Sequence, residues 1–411
     1  MKFHYSFFVI MAGAMLCNCG NSQAPAEAQK IDGVFVDFCE IEKVKEHLAK
    51  NDACFEAAYN ELIEKAQIAV TDNEELSVVH KKKVPASGDK HDYYSMGPYW
   101  WPDPSKADGL PYIRRDGEIN PETRGDNVDT GMKSKFMANV ESLTWAFYFT
   151  GDDKYADKAV ELLETWFVNI ATKMNPNLDY AQAIPGICEG RGIGIIDFHY
   201  IDKLISPIQI LEGRNKFDAE TKMAIHEWFE QYLEWLISSK NGIDEANTKN
   251  NHATWYDVQV AGIALFLDKT EMAKTVLEEV KSRRIANQIE PDGSQPLEIA
   301  RTRSLSYSGM NTRGFIYLAN MAQNVGVDLW NFETPDGRGI QKAMDYLLPY
   351  FAGDESWTHQ QISNIDDAIG VLKLNYLIGA VKTGEEKYVN AFRSVAEPST
   401  DLEVLLYPLF L

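Results

Sequence analysis

Apolar side chains recur at three- and four-residue steps along most of the chain, which is the spacing of one face of an α-helix. Near the N-terminus this pattern predicts helices over 40–49 and 52–71. From Asp129 onward it predicts ten more, over 132–150, 154–171, 201–211, 218–239, 256–266, 271–286, 309–325, 339–351, 365–383 and 386–396. Alternation of apolar and polar residues, which would indicate strands, is scarce.

Several of these predicted helices are separated only by short turns, such as 151–153 and 268–270. Short connections make consecutive helices antiparallel neighbours. We therefore predict an all-α fold, a single (α/α) toroid or incomplete barrel of helical hairpins around a central cleft. An α-solenoid is the alternative, although the sequence shows no fixed repeat period to support it. No linker divides the chain after residue 30, so we assign one domain over 25–411.

The stretch 87–127 lacks helical periodicity and is rich in aromatic residues and prolines. About forty residues without a regular pattern are unusual in a compact domain and are more often functional than idle. Clustered aromatic rings between prolines suit a rigid platform for sugar rings; a loop that merely packs on the domain is the alternative. The candidate substrate-binding residues of this stretch are Tyr99, Trp100, Trp101 and Asn127.

The segment 247–255 places two amides directly before an imidazole, at Asn250, Asn251 and His252. It follows one predicted helix and precedes the next, so it lies on a loop or at a helix start. Amide and imidazole N–H groups can donate to a carboxylate and offset its charge, and a neutral His252 can instead act as a base. The structural alternative is an asparagine helix cap followed by a histidine that only supports the fold.

The segment 295–307 contains two arginines and a tyrosine, at Arg301, Arg303 and Tyr307. On a helix, Arg303 and Tyr307 would share a face. A guanidinium beside a phenol favours the phenolate, so we expect Arg301 to lower the pKa of Tyr307 from its usual value of about 10. The structural alternative is a helix end with solvated arginines and a core tyrosine.

A third polar cluster, 188–194, combines Glu189 and Arg191 with a glycine-rich backbone. Its glycines follow no recognisable strand, so we discount a dinucleotide site. Asp126 and His199 are further candidates outside the three segments. No cysteine–histidine cluster has zinc-binding spacing, and we expect no metal cofactor.

The net charge of −21 over 411 residues argues against nucleic acid as a partner, because phosphate binding requires a basic surface. An anionic substrate would require the arginines to gather in a local cleft against that overall field. The oligomeric state stays open.

The first 24 residues have the features of an export signal. Lys2 precedes an apolar run over 7–16, and Cys17 and Cys19 are candidate acylation sites. We predict a signal peptide over 1–24 and a mature chain that is periplasmic or associated with the outer membrane.

Two separated motifs occur in a fixed order along the chain: Asn250-Asn251-His252, then Pro296-Leu297-Glu298 followed by Arg301 and Tyr307. They resemble the alginate lyase family of polysaccharide lyases. The sequence as a whole resembles the exported Bacteroidetes branch of that family. The segments around Trp101 and Asn127 resemble the N-terminal part of that family. The resemblance covers roughly residues 90–380 and implies an (α/α) toroid.

The resemblance also implies cleavage of an anionic polysaccharide by β-elimination. The substrate carboxylate would be neutralised by amide, imidazole and guanidinium groups, and Tyr307 would take the C5 proton and return one to O4. For guluronate, whose proton lies on the opposite face, His252 could be the base and Tyr307 the acid. The assigned catalytic residues are Asn251, His252, Arg301 and Tyr307. The assigned substrate-binding residues are Tyr99, Trp100, Trp101, Asn127, Glu189, Arg191, Asn250 and Arg303.

Three alternatives stay open at this stage. A glycoside hydrolase would use two carboxylates, for which Asp126, Glu189 and Glu298 are available. A non-catalytic, helical glycan-binding lipoprotein would explain the signal and the aromatic residues. A lyase could also act on another uronate polymer, such as glucuronan.

Overall fold

The computed structural model describes residues 31–50, 53–395 and 399–410. The predicted signal peptide, with Cys17 and Cys19, lies outside these residues and stays a prediction. Within the described part of the chain, no helix combines the length and the apolar character that crossing a bilayer requires.

The described residues are mainly helical. The helices are α1 (Phe38–Ala49), α2 (Ala53–Thr71), α3 (Thr130–Thr150), α4 (Asp153–Phe167), α5 (Asp202–Gly213), α6 (Ala219–Ser238), α7 (Lys240–Ala246), α8 (Asn251–Phe266), α9 (Thr270–Val280), α10 (Ala286–Gln288), α11 (Pro296–Ile299), α12 (Ser304–Gln323), α13 (Ile340–Ala352), α14 (Ile365–Thr383), α15 (Glu386–Val395) and α16 (Glu403–Leu406). Short 3₁₀ segments occur at Val78–His80, Pro121–Arg124 and Gly192–Phe198, and a π-helical turn, Lys281–Ile285, joins α9 to α10.

The long helices form two layers. In the inner layer, α3, α5, α8, α12 and α14 pack one against the next, while α4, α6, α9 and α15 pack outside them. Inner helices are covered on nearly every side, and the buried residues of α8 occupy almost its whole length. Outer helices such as α4 bury a single apolar face. The predicted all-α architecture of antiparallel hairpins is confirmed.

Tight glycine turns reverse the chain between the layers. Gly151 ends α3 and Gly384 ends α14, each in the left-handed conformation, with φ of 71° and 68°. Only glycine adopts this conformation without a steric penalty, and its N–H satisfies a free carbonyl of the last turn. Asp152 then accepts a hydrogen bond from the backbone N–H of Lys154 and begins α4 at once.

Two helix starts lie five residues before the predicted position. α8 begins at Asn251 instead of residue 256, and α12 begins at Ser304 instead of residue 309. In both cases the first turn carries polar residues that face a cleft, so the apolar periodicity begins one turn late. Asn251, His252 and Tyr307 therefore lie in the first turns of their helices.

Short strands order the aromatic stretch. They are too short to show the alternation of apolar and polar residues that would predict them from the sequence. β1 (Tyr94–Met96), β2 (Trp100–Trp101) and β3 (Ile113–Arg114) lie within it, and β4 (Tyr180–Ala183) lies beyond α4. β1 pairs with β4 in parallel, and β2 pairs with β3 in antiparallel fashion. This arrangement holds the stretch over the starts of the inner helices, where the cleft opens.

Candidate active site

A cleft of about 970 Å³ is lined by the aromatic stretch and by the first turns of α3, α8 and α12. It brings together nine of the twelve residues that the sequence analysis assigned to catalysis or substrate binding. These are Tyr99, Trp100, Arg191, Asn250, Asn251, His252, Arg301, Arg303 and Tyr307.

Three assigned residues, Trp101, Asn127 and Glu189, are not among the residues that line the cleft. Successive strand residues point to opposite faces, so only one of the two neighbouring tryptophans can face the substrate. The Trp101 indole instead donates to the carbonyl of Glu118 at 3.0 Å. Asn127 and Glu189 are exposed away from the cleft. A substrate-binding role for these three residues has no support from their positions.

The cleft is strongly basic although the chain as a whole is acidic. Asp197 is the one carboxylate among the described residues that line it, and its oxygens accept hydrogen bonds from the side chains of Tyr93, Ser95 and Gln182. Such a local field attracts and retains an anionic ligand. The cationic side chains that line the cleft are Arg114, Arg124, Lys133, Arg191, Arg301 and Arg303.

Asn251 is held by a buried carboxylate. Its backbone N–H and its side-chain Nδ2 each donate to Glu298 at 2.7 Å, and both residues are 1% exposed. Burial raises the pKa of Glu298, against the opposing effect of these two hydrogen bonds. A carboxylate only accepts, so the amide orientation is fixed, and the second N–H of Nδ2 is left for a ligand.

His252 is oriented in the same way. Its Nδ1 lies 2.7 Å from Oε1 of Glu245, a residue that is 1% exposed. Because the carboxylate accepts, Nδ1 carries the proton, and Nε2 of a neutral ring is left as an acceptor. Asn250, the extended residue before α8, lines the cleft beside this pair.

Arg301 joins the aromatic stretch to Tyr307. Its Nη2 and Nε donate to the two oxygens of Asp116 at 2.8 and 3.1 Å, and its guanidinium carbon lies 3.9 Å from the centre of the Tyr307 ring. Burial favours a higher pKa for Asp116, but the hydrogen bond and charge of Arg301, with Thr302 and Arg114, lower that pKa well below its usual range. The arginine is therefore fixed as a cation against the phenol.

The expectation that Arg301 brings the pKa of Tyr307 below its usual value is wrong. Burial of the hydroxyl raises the pKa of Tyr307 well above 10, and the neighbouring Tyr99 raises it further. The two hydroxyls share a hydrogen bond of 2.6 Å. Arg301 opposes this rise but does not overcome it. Tyr307 is thus a neutral phenol at pH 7.

Arg303 differs from Arg301 in having no acidic partner among the described residues. The residue lines the cleft directly before α12, and its buried Nε has no hydrogen-bond partner within the described part of the chain. Its backbone is anchored by pairing with Gln361. A partly buried guanidinium with free donors is suited to bind a carboxylate.

Several supporting residues were not singled out from the sequence. Asp116 lies 185 positions from Arg301, and Glu245 lies on the short helix α7, before the helix that carries His252. No local motif marks either residue. Gln182 lines the cleft with φ of 49°, a strained value for a residue with a side chain. Its carbonyl and its Oε1 both accept hydrogen bonds from Arg191 at 3.0 Å, which fixes that arginine in the wall of the cleft.

The carboxylates considered for a hydrolase do not face the cleft. Asp126 is exposed and forms an ion pair with Lys82, and Glu189 is exposed. Glu298 is buried beneath Asn251. No two of them flank a position where a glycosidic bond could lie, as hydrolysis by a carboxylate pair requires.

Comparisons with known proteins agree with this arrangement. The family model described as alginate lyase matches residues 77–357. A crystal structure of an alginate lyase from Bacteroides ovatus shares 36% sequence identity, covers 93% of this chain and 100% of that chain, and has a TM-score of 0.88. A search of curated proteins gives no match.

More distant structures show the fold alone. Alginate lyase A1-III from Sphingomonas species A1 shares 14% identity over 85% of this chain and 95% of that chain, with a TM-score of 0.50. A variant of A1-III complexed with a tetrasaccharide shares 13% identity over the same fractions, with a TM-score of 0.51. These structures confirm the predicted (α/α) toroid. From the extent of the family match and the likeness to the Bacteroides ovatus structure, we conclude that this chain belongs to the alginate lyase family.

Proposed function

We propose that this protein cleaves alginate by β-elimination, using its own side chains to neutralise the substrate carboxylate. The observation that carries the proposal is the joint placement of Asn251, His252 and Tyr307 in a basic cleft, where one carboxylate lies among the described lining residues. Membership of the alginate lyase family supports the same reaction class.

Neutralisation of the carboxylate is the first requirement, because the C5 proton of a uronate is only weakly acidic while the carboxylate keeps its charge. Asn251 donates from its free N–H, and the protonated form of His252, which carries a proton on Nε2 as well as on Nδ1, donates beside it. Arg303 supplies the cation, because no acidic side chain in the described part of the chain pairs with its guanidinium. Donors of this kind stabilise the enolate-like charge that develops, each by on the order of 3 kcal/mol in comparable sites.

Tyr307 moves the proton. In mannuronate the phenolate oxygen takes the C5 proton, the electron pair of the C–H bond forms the C4–C5 double bond, and the C4–O4 bond breaks. The phenol then returns a proton to O4. Arg301 lies over the ring and stabilises the phenolate form when it arises. In guluronate, Nε2 of His252 takes the proton and the neutral phenol of Tyr307 donates to O4.

Incubation of residues 25–411 with alginate, poly-mannuronate, poly-guluronate and glucuronan in parallel tests the substrate. We expect ultraviolet absorbance from the unsaturated uronate to rise with alginate. A rise with glucuronan alone would show a lyase with another substrate. Binding of these polymers without any new chain ends would favour a glycan-binding protein and contradict the proposal.

The pH dependence of kcat/KM follows from the raised pKa of Tyr307. A base whose pKa lies above 10 is active only in its deprotonated fraction. As long as the pH stays below the pKa, this fraction increases tenfold for each unit by which the pH rises. On poly-mannuronate we expect log kcat/KM to rise with a slope near one between about pH 7 and about pH 9. On poly-guluronate, where the phenol donates, this rise should be absent. Equal profiles on both polymers would contradict the assigned roles.

Replacement of Arg303 by methionine should raise KM for poly-mannuronate by about 10- to 100-fold, because the carboxylate is charged before the reaction and its partner contributes to binding. The matched control is Arg115→Met, which removes an arginine that lies against Trp101 outside the cleft. KM of the control should stay within about twofold of the wild type. Equal KM values for the two variants would show that Arg303 does not bind substrate.

A further inference from the structure

Lys133 is a buried cation that the proposed reaction does not use. It lies in the first turn of α3, is 9% exposed and lines the cleft. Its Nζ donates to the main-chain oxygen of Asp197 at 2.5 Å, and no carboxylate in the described part of the chain forms an ion pair with it. An ammonium has three donors, so Lys133 keeps donors for a further partner.

The charges around Lys133 act in both directions. Burial lowers the pKa of Lys133, the charge of Asp197 opposes this change, and the charge of Arg124 adds to it. Arg124 also lines the cleft and has no acidic partner among the described residues. The first turn of α3 adds the partial positive charge of a helix N-terminus. The carboxylate of Asp197 faces this region, but its oxygens are already bound by three side-chain donors.

The neighbouring His199 adds no charge to this cluster. Burial, and then the charge of Lys133, lower the pKa of His199 to about 3, so the ring is neutral at pH 7. Its Nδ1 donates to the carbonyl of Ile196, which leaves Nε2 as an acceptor for a sugar hydroxyl. A cation pair beside a neutral acceptor matches the carboxylate and hydroxyl groups of a single uronate residue.

We propose that Lys133 and Arg124 bind the carboxylate of a second uronate residue in the same polymer, separate from the carboxylate held by Asn251 and His252. This inference rests on the proposed function, since a polyuronate carries one carboxylate on every sugar. An unpaired buried cation costs folding free energy, and a ligand carboxylate offsets that cost.

Replacement of Lys133 by methionine tests the subsite. Binding of mannuronate oligosaccharides is measured by calorimetry in the non-cleaving Tyr307→Phe background, and we expect the second substitution to weaken binding by about 10- to 100-fold. The matched control is Lys135→Met on the same helix, whose ammonium pairs with Asp72 and Glu74 away from the cleft. Equal affinities for the two double variants would overturn the subsite.

The folded state of the Lys133→Met variant is checked by its melting temperature. Methionine fills a similar volume without an unpaired charge, so the temperature should equal or exceed that of the wild type. A lower melting temperature, together with weakened binding, would indicate a structural role for Lys133 and contradict the subsite.

Partly carboxyl-reduced poly-mannuronate provides a test in which every protein is folded and active. If two carboxylates are needed, the rate of the wild type should be proportional to the square of the fraction of carboxylates that remain. The rate of Lys133→Met should be proportional to the first power of that fraction. First-power behaviour of the wild type would refute the second carboxylate while leaving the lyase intact. If the wild type released no unsaturated product from any polyuronate, the proposed function would fail, and the calorimetric comparison would still decide the subsite.

Discussion

The Tyr307→Phe variant should lose at least about 10³-fold in kcat on alginate while keeping its affinity for oligosaccharides. The substitution removes only the hydroxyl, which is both the proton acceptor at C5 and the proton donor to O4 in the proposed mechanism. The ring itself still packs beneath the guanidinium of Arg301. Initial rates of ultraviolet absorbance and calorimetric affinity are the two measurements.

Tyr256→Phe is the matched control for this substitution. It removes a buried hydroxyl that donates to the carbonyl of Leu236 at 3.0 Å. Tyr256 is not among the residues that line the cleft. It should cost about 1 kcal/mol of unfolding free energy and leave kcat unchanged. If Tyr307→Phe retained wild-type kcat, another group would have to move the proton and the assigned mechanism would be refuted.

The His252→Gln variant should lower kcat/KM by about 10²- to 10³-fold. The amide can still donate to Glu245, so the buried carboxylate keeps a partner, but the imidazole is lost from the carboxylate-binding group. On poly-guluronate the loss should be larger than on poly-mannuronate, because there the imidazole also serves as the base. Initial rates on the two polymers give both values.

His226→Gln provides the control, because it alters another histidine that is paired with a glutamate. His226 binds Glu212 at 2.6 Å on α6, away from the cleft. Its kcat/KM should stay within about twofold of the wild type. Equal losses for the two variants would mean that the effect of His252→Gln is structural, and an unchanged His252→Gln enzyme would remove His252 from the site.

Residues that share a short segment were predictable as site components. Asn251 with His252, and Arg301 with Tyr307, combine donors and a proton carrier within a few positions, and the structure brings both segments to one cleft. The apolar periodicity predicted the inner and outer helices because burial of a helix face leaves a regular pattern. It placed two helix starts late because polar residues of the site occupy those first turns.

Properties that depend on long-range packing were not predictable. Asp116 contacts Arg301 across 185 positions of sequence, and no local pattern relates them. The predicted direction of the pKa shift of Tyr307 is wrong. The sequence shows the neighbouring arginine, but it shows neither the burial of the hydroxyl nor its hydrogen bond to Tyr99. Of the adjacent residues Trp100 and Trp101, only Trp100 lines the cleft, because the pairing of β2 with β3 determines which side chain faces it.

The ratio of unsaturated uronate to new reducing ends, measured on alginate with excess chelator, tests the central claim most directly. β-Elimination by protein side chains gives one unsaturated residue for every new chain end, so we predict a ratio near one that does not change with chelator. A hydrolase would release reducing ends with a ratio near zero, and this result would contradict the account. Loss of both signals on chelation would show that neutralisation of the carboxylate depends on a metal ion and not on Asn251, His252 and Arg303.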